Sequence, residues 1–346
     1  MTTVPLELST ISFEEEWEKF IASIPEATIF HHPTWLNTIS QAYGYQPFGL
    51  ILRDSNGEIR VALPVALVDS QLTGKRWIAY PFSDYCFPLY RSEQDLALFS
   101  LAIIQFCEEK QVDPLEIRWH LPQNHRFQIG AKAVLHLLKL DSDINKVYKG
   151  INPKHRNHIR QAERHAVHVE MGRSSNALQT FYRLHLETRR RQGVPIQPWK
   201  FFEQLKKNVL EGEHGFVSLA YHEGRCIAGA IFLFYNKTIT YKYSASNRNL
   251  LHLRPNNLIL WRAIQWGCEN SYTLMDFGKT DRENLGLRDF KSNWGAEEQE
   301  LIYSSISSQL IPTRTYHLNR LVEGIIRKSP LWVCRLSGEL FYKHFA

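Results

Sequence analysis

Three arginines, Arg156, Arg160 and Arg164, recur every four residues behind Asn152-Pro153, a pair that reads as a helix cap and a first-turn proline. That spacing sets three guanidiniums along one face of one helix. Each guanidinium is a planar fork of donors, so three in a row suit phosphate groups. A solvated charged face is the plainer alternative, and the spacing alone leaves both open. The distribution of charge favours a ligand. Residues 146–165 hold six cations against the single anion Glu163, in a chain of 346 residues whose net charge is +6. Charge this localised points to an anionic partner: nucleic acid, a nucleotide-linked precursor or a membrane surface.

Asp276 is a candidate of another kind. It ends a predicted strand just before Gly278. A carboxylate there accepts the proton of an attacking amine, or it caps the following loop by taking backbone N–H bonds. Other chemistries find little support. His155, His158, His165 and His168 lie close in sequence but lack an HExxH frame and sit among arginines that repel a metal ion, so no metal site is expected. Neither a GxSxG elbow nor a GxxxxGK[ST] loop occurs. The five cysteines show no CxxC spacing, which fits a reducing compartment better than a disulfide framework or a zinc site. Residues 1–16 do not read as a signal peptide, and no apolar run approaches the roughly 20 residues that span a bilayer. A cytoplasmic location is therefore expected.

The elements that must position these residues form a repeat. In the first half, amphipathic helices near 13–24 and 33–43 precede a strand that turns at Gly57, a return strand over 58–68 and another near 75–80. A helix capped by Ser92 then runs to Lys110, and strands near 115–119 and 134–140 close the half. The second half repeats the order: helices at 175–192 and 198–210, a strand turning at Gly224, strands over 225–235 and 238–246, a helix opened by Pro255, then strands near 273–276 and 298–305. The expected fold is α/β (α+β) with two tandem domains, each a mostly antiparallel mixed sheet flanked by helices. The expected boundaries are 1–145 and 146–311, with the basic segment bordering the cleft between them. Leu318, Leu321, Val322, Ile325 and Ile326 make one apolar stripe in the tail. Residues 312–346 are expected to pack back on the first domain. With Arg320, Arg327, Lys328 and Arg335 beside it, the stripe also admits peripheral contact with a membrane surface.

The order of elements matches the GNAT acyltransferase fold, and specific residues narrow the likeness. Met275-Asp276-Phe277-Gly278-Lys279, then Gly286-Leu287-Arg288-Asp289-Phe290-Lys291, then Trp294-Gly295 resemble the FemAB pattern of an aspartate–aromatic–glycine strand end, a short loop, and Phe-Lys ahead of an aromatic-glycine pair. Arg254-Pro255-Asn256-Asn257 with Trp261-Arg262-Ala263-Ile264 sits where that family enters its helix. Pro81-Phe82-Ser83-Asp84-Tyr85 is similar to its substrate-side loop. The likeness spans roughly residues 10 to 310.

This resemblance to the FemAB-like branch, the peptidoglycan-bridge aminoacyltransferases, implies acyl or aminoacyl transfer onto an amine of a cell-envelope precursor, with aminoacyl-tRNA as a donor. It implies Lys291 at the reaction centre, offsetting a growing oxyanion or a donor phosphate; the bland alternative is a lysine in a surface loop. Asp84 and Tyr85 then hold the acceptor, or form a plain turn. Phe290 borders the same site, as a substrate contact or as packing. Transfer from acyl-CoA is the second enzymatic reading, and a non-catalytic module binding nucleic acid or an anionic glycan is the third. Against CoA, residues 247–257 and 87–95 contain no glycine where CoA-dependent GNAT enzymes cradle pyrophosphate, and Pro255 lacks an N–H. No cofactor is therefore expected.

Overall fold

The computed structural model describes residues 6–10, 15–122, 126–307, 323–324 and 326–345. The chain divides into two compact units. The first comprises Met1–Ala133, Glu300–Pro312 and Lys343–Ala346; the second comprises Val134–Gln299 and Thr313–Tyr342.

The first unit runs β1 (Leu6–Thr10), α1 (Glu15–Ala22), α2 (Pro33–Tyr43), β2 (Pro47–Arg53), β3 (Ile59–Ser70), β4 (Gly74–Ala79), the two-residue β5 (Leu89–Tyr90), α3 (Glu93–Lys110) and β6 (Leu115–Ile117). Next, β7 (Gln128–Lys139) carries the chain into the second unit. There follow α4 (Ile144–Gly150), α5 (Pro153–Arg164), β8 (His168–Gly172), α6 (Ser175–Gln192), α7 (Trp199–Leu205), β9 (Gly215–His222), β10 (Arg225–Tyr235), β11 (Thr238–Ser246), α8 (Pro255–Glu269), β12 (Leu274–Asp276), β13 (Thr280–Asp281) and α9 (Leu285–Ser292). Finally β14 (Glu297–Ile306) leads back to the first unit, and α10 (Leu331–Phe341) lies near the C-terminus.

Strands β1 to β4 pair antiparallel in sequence order, and β6 joins β4 in parallel after α3. Strands β8 to β11 do the same, with β12 joining β11 in parallel after α8. The internal repeat expected from sequence is thus present in the pairing itself. One detail departs from expectation. The antiparallel strand beside β6 is the far end of β14, whereas the one beside β12 is the far end of β7. Each unit therefore completes its sheet with a strand from the other half of the chain, and the boundaries at 145 and 311 shift to 133 and 299. Alternating apolar residues mark a strand and its buried face, but they do not name its neighbour.

In the second unit, alternation along β10 assigns the two helical layers. Ala228, Ala230, Phe232 and Phe234 join the buried cluster built on α8. The opposite face carries Gly229, where a Cβ would stand 2.8 Å from Leu219 and 3.1 Å from Phe181 of α6. Glycine lets that helix approach the sheet. Helix α5 packs on α8, on the side away from α6.

The tail also departs from expectation. Leu318, Leu321, Val322 and Ile325 lie outside the described residues, and Ile326 is buried. Helix α10 packs on α6 of the second unit, not on the first. Cys334 Sγ lies 3.7 Å from Val194 O, and Glu339 accepts the Trp199 N–H at 3.0 Å. Only the last residues return to the first unit, where Ser70 Oγ meets His344 Nδ1 at 2.9 Å. Small residues on the inner face explain the choice, since a helical stripe shows what is buried but not against what.

Gly338 supplies a test of this docking. A Cβ there would fall 2.0 Å from the Ile196 carbonyl oxygen, which is backbone and cannot swing aside. Gly338→Ala should lower the melting temperature by several degrees, on the scale of about 1–3 kcal/mol for overpacking. It should also open residues 326–341 to limited proteolysis. Gly324→Ala, which meets nothing within 4 Å, serves as the silent control.

Candidate active site

The site grows from the short strand β12. Asp276, its last residue, pairs with Thr240 of β11 on one side and Leu137 of β7 on the other, and is fully buried. Phe277 N–H then donates to His136 O at 2.9 Å, and the chain reverses at Gly278 with φ +73°. Glycine takes that left-handed conformation without the Cβ penalty. Asp276 Oδ1 accepts the Gly278 N–H at 2.7 Å, so the carboxylate does cap the loop.

Lys291 reaches the same residue from the other side. The sequence left it in a surface loop or a reactive one, but it stands in the last turn of α9, whose start Asn284 caps through Leu287 N–H at 3.2 Å. It is the one buried residue of that helix, 4% exposed. Its Nζ donates to Gly278 O at 2.8 Å and Lys279 O at 3.2 Å. An acid and a base thus converge on the two peptide groups of Gly278. A buried ammonium is costly unless its charge is answered, and here carbonyl dipoles answer it.

Helix α9 is held in place by α5. His155 Nε2–H donates to Phe290 O at 3.0 Å, while Nδ1 accepts from Asn257 Nδ2 of α8 at 3.1 Å. The carbonyl cannot donate, so these partners fix the tautomer. Phe290 is half-buried and packs edge-on against His155, 5.1 Å between centroids, with Trp294 behind it. Behind that, Asn152 N–H donates to Asn293 O at 2.9 Å, and Gly295, φ +82°, leaves only 2.9 Å between a would-be Cβ and Gly150 O.

Sequence reasoning missed a charged network beside Lys291. His136 of β7 is fully buried, with Nε2 3.2 Å from Glu298 Oε2. Arg288 grips Glu298 with both ends of its fork, at 2.9 and 2.6 Å, one helical turn before Lys291. Burial first, and then the Lys291 charge, pull the His136 pKa below its ordinary value, against the opposing pull of Glu298. Hydrogen bonding from Arg288 in turn lowers the Glu298 pKa. Two signals were available: one histidine interrupts the apolar run Val134-Leu135-His136-Leu137-Leu138, and Arg288 lies three residues before Lys291.

The arginines of α5 divide by exposure. Arg156 is half-buried with its guanidinium 5.8 Å from the Tyr148 ring centre, and Arg160 Nε reaches the Tyr148 hydroxyl at 3.4 Å. Tyr148 itself packs on Trp261 at 5.0 Å. Arg160 and Arg164 are exposed and, with Asn157 and Glu163, line a shallow depression of about 500 Å³. Glu163 is engaged by Arg262 at 3.3 Å. The two terminal arginines therefore face solvent together, and an aromatic ring holds the first of the three.

Asp84 and Tyr85 belong to the first unit. Tyr85 is buried in an aromatic cluster with Phe30 at 5.5 Å, Phe87 at 6.1 Å and Trp119 at 5.9 Å. Asp84 follows the turn closed by Ser83 N–H on Tyr80 O, and its own carbonyl accepts the Tyr303 hydroxyl at 2.6 Å. This is the turn and packing arrangement that the Pro-Phe-Ser context allowed. At the start of α8 the glycine-free segment forms a 3-10 turn over Arg248–Leu253, Arg254 takes φ +58°, and the N–H groups of Asn257 and Leu258 both turn back to Arg254 O.

The acetyltransferase (GNAT) domain family matches residues 153–292. The match lies within the second unit. The match takes in Arg156, Arg160, Arg164, Asp276, Phe290 and Lys291 together. Two curated proteins are similar over part of this domain-bearing chain. One is the UDP-N-acetylmuramoylpentapeptide-lysine N(6)-alanyltransferase of Weissella viridescens, 24% identical over 38% of this chain and 38% of its own length. The other is the lipid II:glycine glycyltransferase of Staphylococcus saprophyticus, 33% identical over 23% of this chain and 21% of its own. The chain thus covers well under two thirds of either relative. Among solved structures, that of FemX aligns with a TM-score of 0.69 at 15% identity, over 92% of this chain and all of that one. L-PGS from Bacillus licheniformis aligns at 0.55 and 11%, over 92% and 99%. These likenesses bear out the resemblance to the FemAB-like branch of the GNAT superfamily and the α/β fold expected from it.

The network beside Lys291 makes stability depend on pH. A neutral His136 stabilises the fold in full above the unfolded value of about 6.5. That contribution is lost as pH falls below 6.5 toward the depressed folded value, because the unfolded chain then binds a proton that the folded chain refuses. His136→Gln should therefore flatten the decline in melting temperature between pH 7 and pH 5, whatever it does to the plateau. An unchanged slope would assign the acid sensitivity to other groups.

Proposed function

We propose that this chain is an acyltransferase that carries an aminoacyl group from aminoacyl-tRNA to an amine of a cell-envelope precursor. The observation that carries the reading is the convergence of Asp276 and Lys291 on Gly278 inside the GNAT domain. In the proposed step the neutral amine attacks the ester carbonyl of the donor. A C–N bond forms, the ester C–O bond breaks, and the amine proton ends on the released hydroxyl. Lys291 offsets the negative charge that gathers on the carbonyl oxygen as the tetrahedral intermediate forms, which is where one fixed charge has the most effect. Asp276 takes the amine proton. A carboxylate has about four lone-pair sites, so accepting the Gly278 N–H and accepting a proton are compatible. The relatives support the class of reaction, since both are named for transferring an amino acid in peptidoglycan precursor chemistry.

Arg156, Arg160 and Arg164 are assigned to the anionic donor or precursor. Exposed guanidiniums above a shallow depression fit a phosphate backbone, and the half-buried Tyr148 ring, backed by the buried Trp261, gives the face a stacking flank. Asp84 and Tyr85 carry less of the proposal, because packing accounts for their placement. The start of α8 argues for a donor other than CoA: Pro255 has no N–H, and those of Asn257 and Leu258 are bonded within the chain.

Two experiments bear on this. Lys291→Met keeps most of the side-chain stem while removing the charge, and should cut turnover at least ~10²-fold in protein that remains folded at the assay temperature. Parent-level turnover would remove Lys291 from the mechanism. In parallel, labelled tRNA and labelled CoA are titrated at several salt concentrations. Saturable tRNA binding that weakens with salt is expected, with a slope that shrinks by about two to three when all three arginines are changed to Glu. Tight CoA binding would instead support acyl-CoA as donor.

A further inference from the structure

Helix α10 presents an apolar face outward. Its inner face is Cys334 and Gly338, both buried against the backbone near Ile196. On the opposite side Trp332, Leu336 and Leu340 recur every four residues, and they are 65%, 49% and 53% exposed, with Phe341 and Leu331 at 44% and 37%. A tryptophan in contact with water over most of its surface is unusual, and with Leu336 and Leu340 it forms an apolar stripe along the outward side of the helix, Leu331 and Phe341 lying toward the inner side. Cations flank it along the chain. Arg327, Lys328 and Arg335 stand with Glu323 and Glu339; Glu323 pairs with Arg327 and Glu339 is occupied by the Trp199 N–H, which leaves Lys328 and Arg335 to give the face its charge. Arg335 and Lys328 are exposed.

We propose that this face of α10 seats the protein on an anionic lipid surface. The patch is the outward side of a single helix, which by itself does not form the pocket that a protein partner's anchor residue usually fills. Self-association fits poorly: a two-fold interface would bring the same cations against each other, and one three-turn helix offers a few hundred Å² where a stable partner needs about 800. A bilayer interface meets both features at once. The tryptophan and leucines enter the headgroup boundary, and the flanking lysine and arginine sit among the phosphates. This face is distinct from the tail stripe that sequence pattern suggested, of which Ile326 alone lies within the described residues and is buried. No helix among the described residues is long and apolar enough to cross a membrane, so the association is peripheral. The inference stands on α10 alone and does not require the proposed reaction.

The full chain would be sedimented with vesicles of phosphatidylglycerol and, separately, phosphatidylcholine, at 50 and 500 mM salt. Binding to phosphatidylglycerol is expected, at least tenfold weaker on phosphatidylcholine and weakened by salt. Changing Trp332, Leu336 and Leu340 to Ser, all on the exposed face, should reduce vesicle binding at least tenfold with the melting temperature unchanged. Absence of binding by the parent protein, or equal binding by the triple variant, would overturn the proposal. So would a concentration-dependent dimer in the parent that the triple variant loses, since it would assign the face to a second copy. Lys291→Met should bind vesicles as the parent does, which separates this result from the fate of the catalytic reading.

Discussion

Two opposite charges brought onto one glycine constrain everything around them in the second unit. Asp276 binds the N–H of Gly278 and Lys291 binds its carbonyl, so the turn after β12 is held by ionic hydrogen bonds on both sides. Neither charge is tolerable alone at that depth: a buried ammonium or carboxylate left unanswered costs several kcal/mol. The turn needs a left-handed residue, hence glycine. The lysine needs a helix end aimed at the turn, hence α9. The helix end needs a fixed support, which His155, Asn152 and the Gly150–Gly295 contact supply. A chain of dependencies runs from a two-residue turn to three separate helices.

Helix α5 has two jobs on two faces. His155 points inward and holds the Phe290 carbonyl; Arg156, the next residue, lies against Tyr148, and Arg160 and Arg164 follow outward. A ligand held on the basic face is thereby one short helix-to-helix hydrogen bond away from the residue that precedes Lys291. In the proposed reaction this lets donor anchoring on α5 and charge placement on α9 share one rigid support, which is how positioning becomes rate. The same proposal accounts for the charge gathered in residues 146–165 while the rest of the chain is nearly balanced.

Much of this was legible in the residues, and the parts that were not share a cause. Local signals worked: Ser92, Asn152 and Pro255 mark helix starts where the structure has them, and glycines at 57 and 224 mark the hairpins. Short elements escaped. Strand β8 has no fully buried residue and no long apolar run, and α9 has one buried residue, so no periodicity announces either. Long-range choices escaped too. The exchange of β7 and β14 between sheets, the docking of α10 on α6 and the meeting of His136 with Glu298 all join residues far apart in sequence. At the site, the motif located Lys291 and Asp276 but left open whether they meet; the Asp84–Tyr85 loop looked equally suggestive and turned out packed. Residue type and spacing report what a segment needs, whereas the partner that meets the need is set by the fold.

The start of α8 bears most directly on the choice of donor. A helix N-terminus is an anion site because its first N–H groups lack partners and point outward. Here proline removes one donor, and Asn257 and Leu258 spend theirs on the carbonyl of Arg254, which is itself held at φ +58°. The 3-10 turn ahead of it places side chains, not bare glycine backbone, along the approach. A pyrophosphate brought there would find few donors and little room for close contact. In the proposed reading the anion is held instead on α5, where guanidiniums on flexible stems take the place of backbone amides in a fixed cradle. Fixed amides select one compact phosphate geometry, while a row of arginines tolerates an extended polyanion. That difference between a small, rigid pyrophosphate and a long phosphate chain is the physical ground on which the proposal prefers a nucleic-acid-linked donor to a coenzyme thioester.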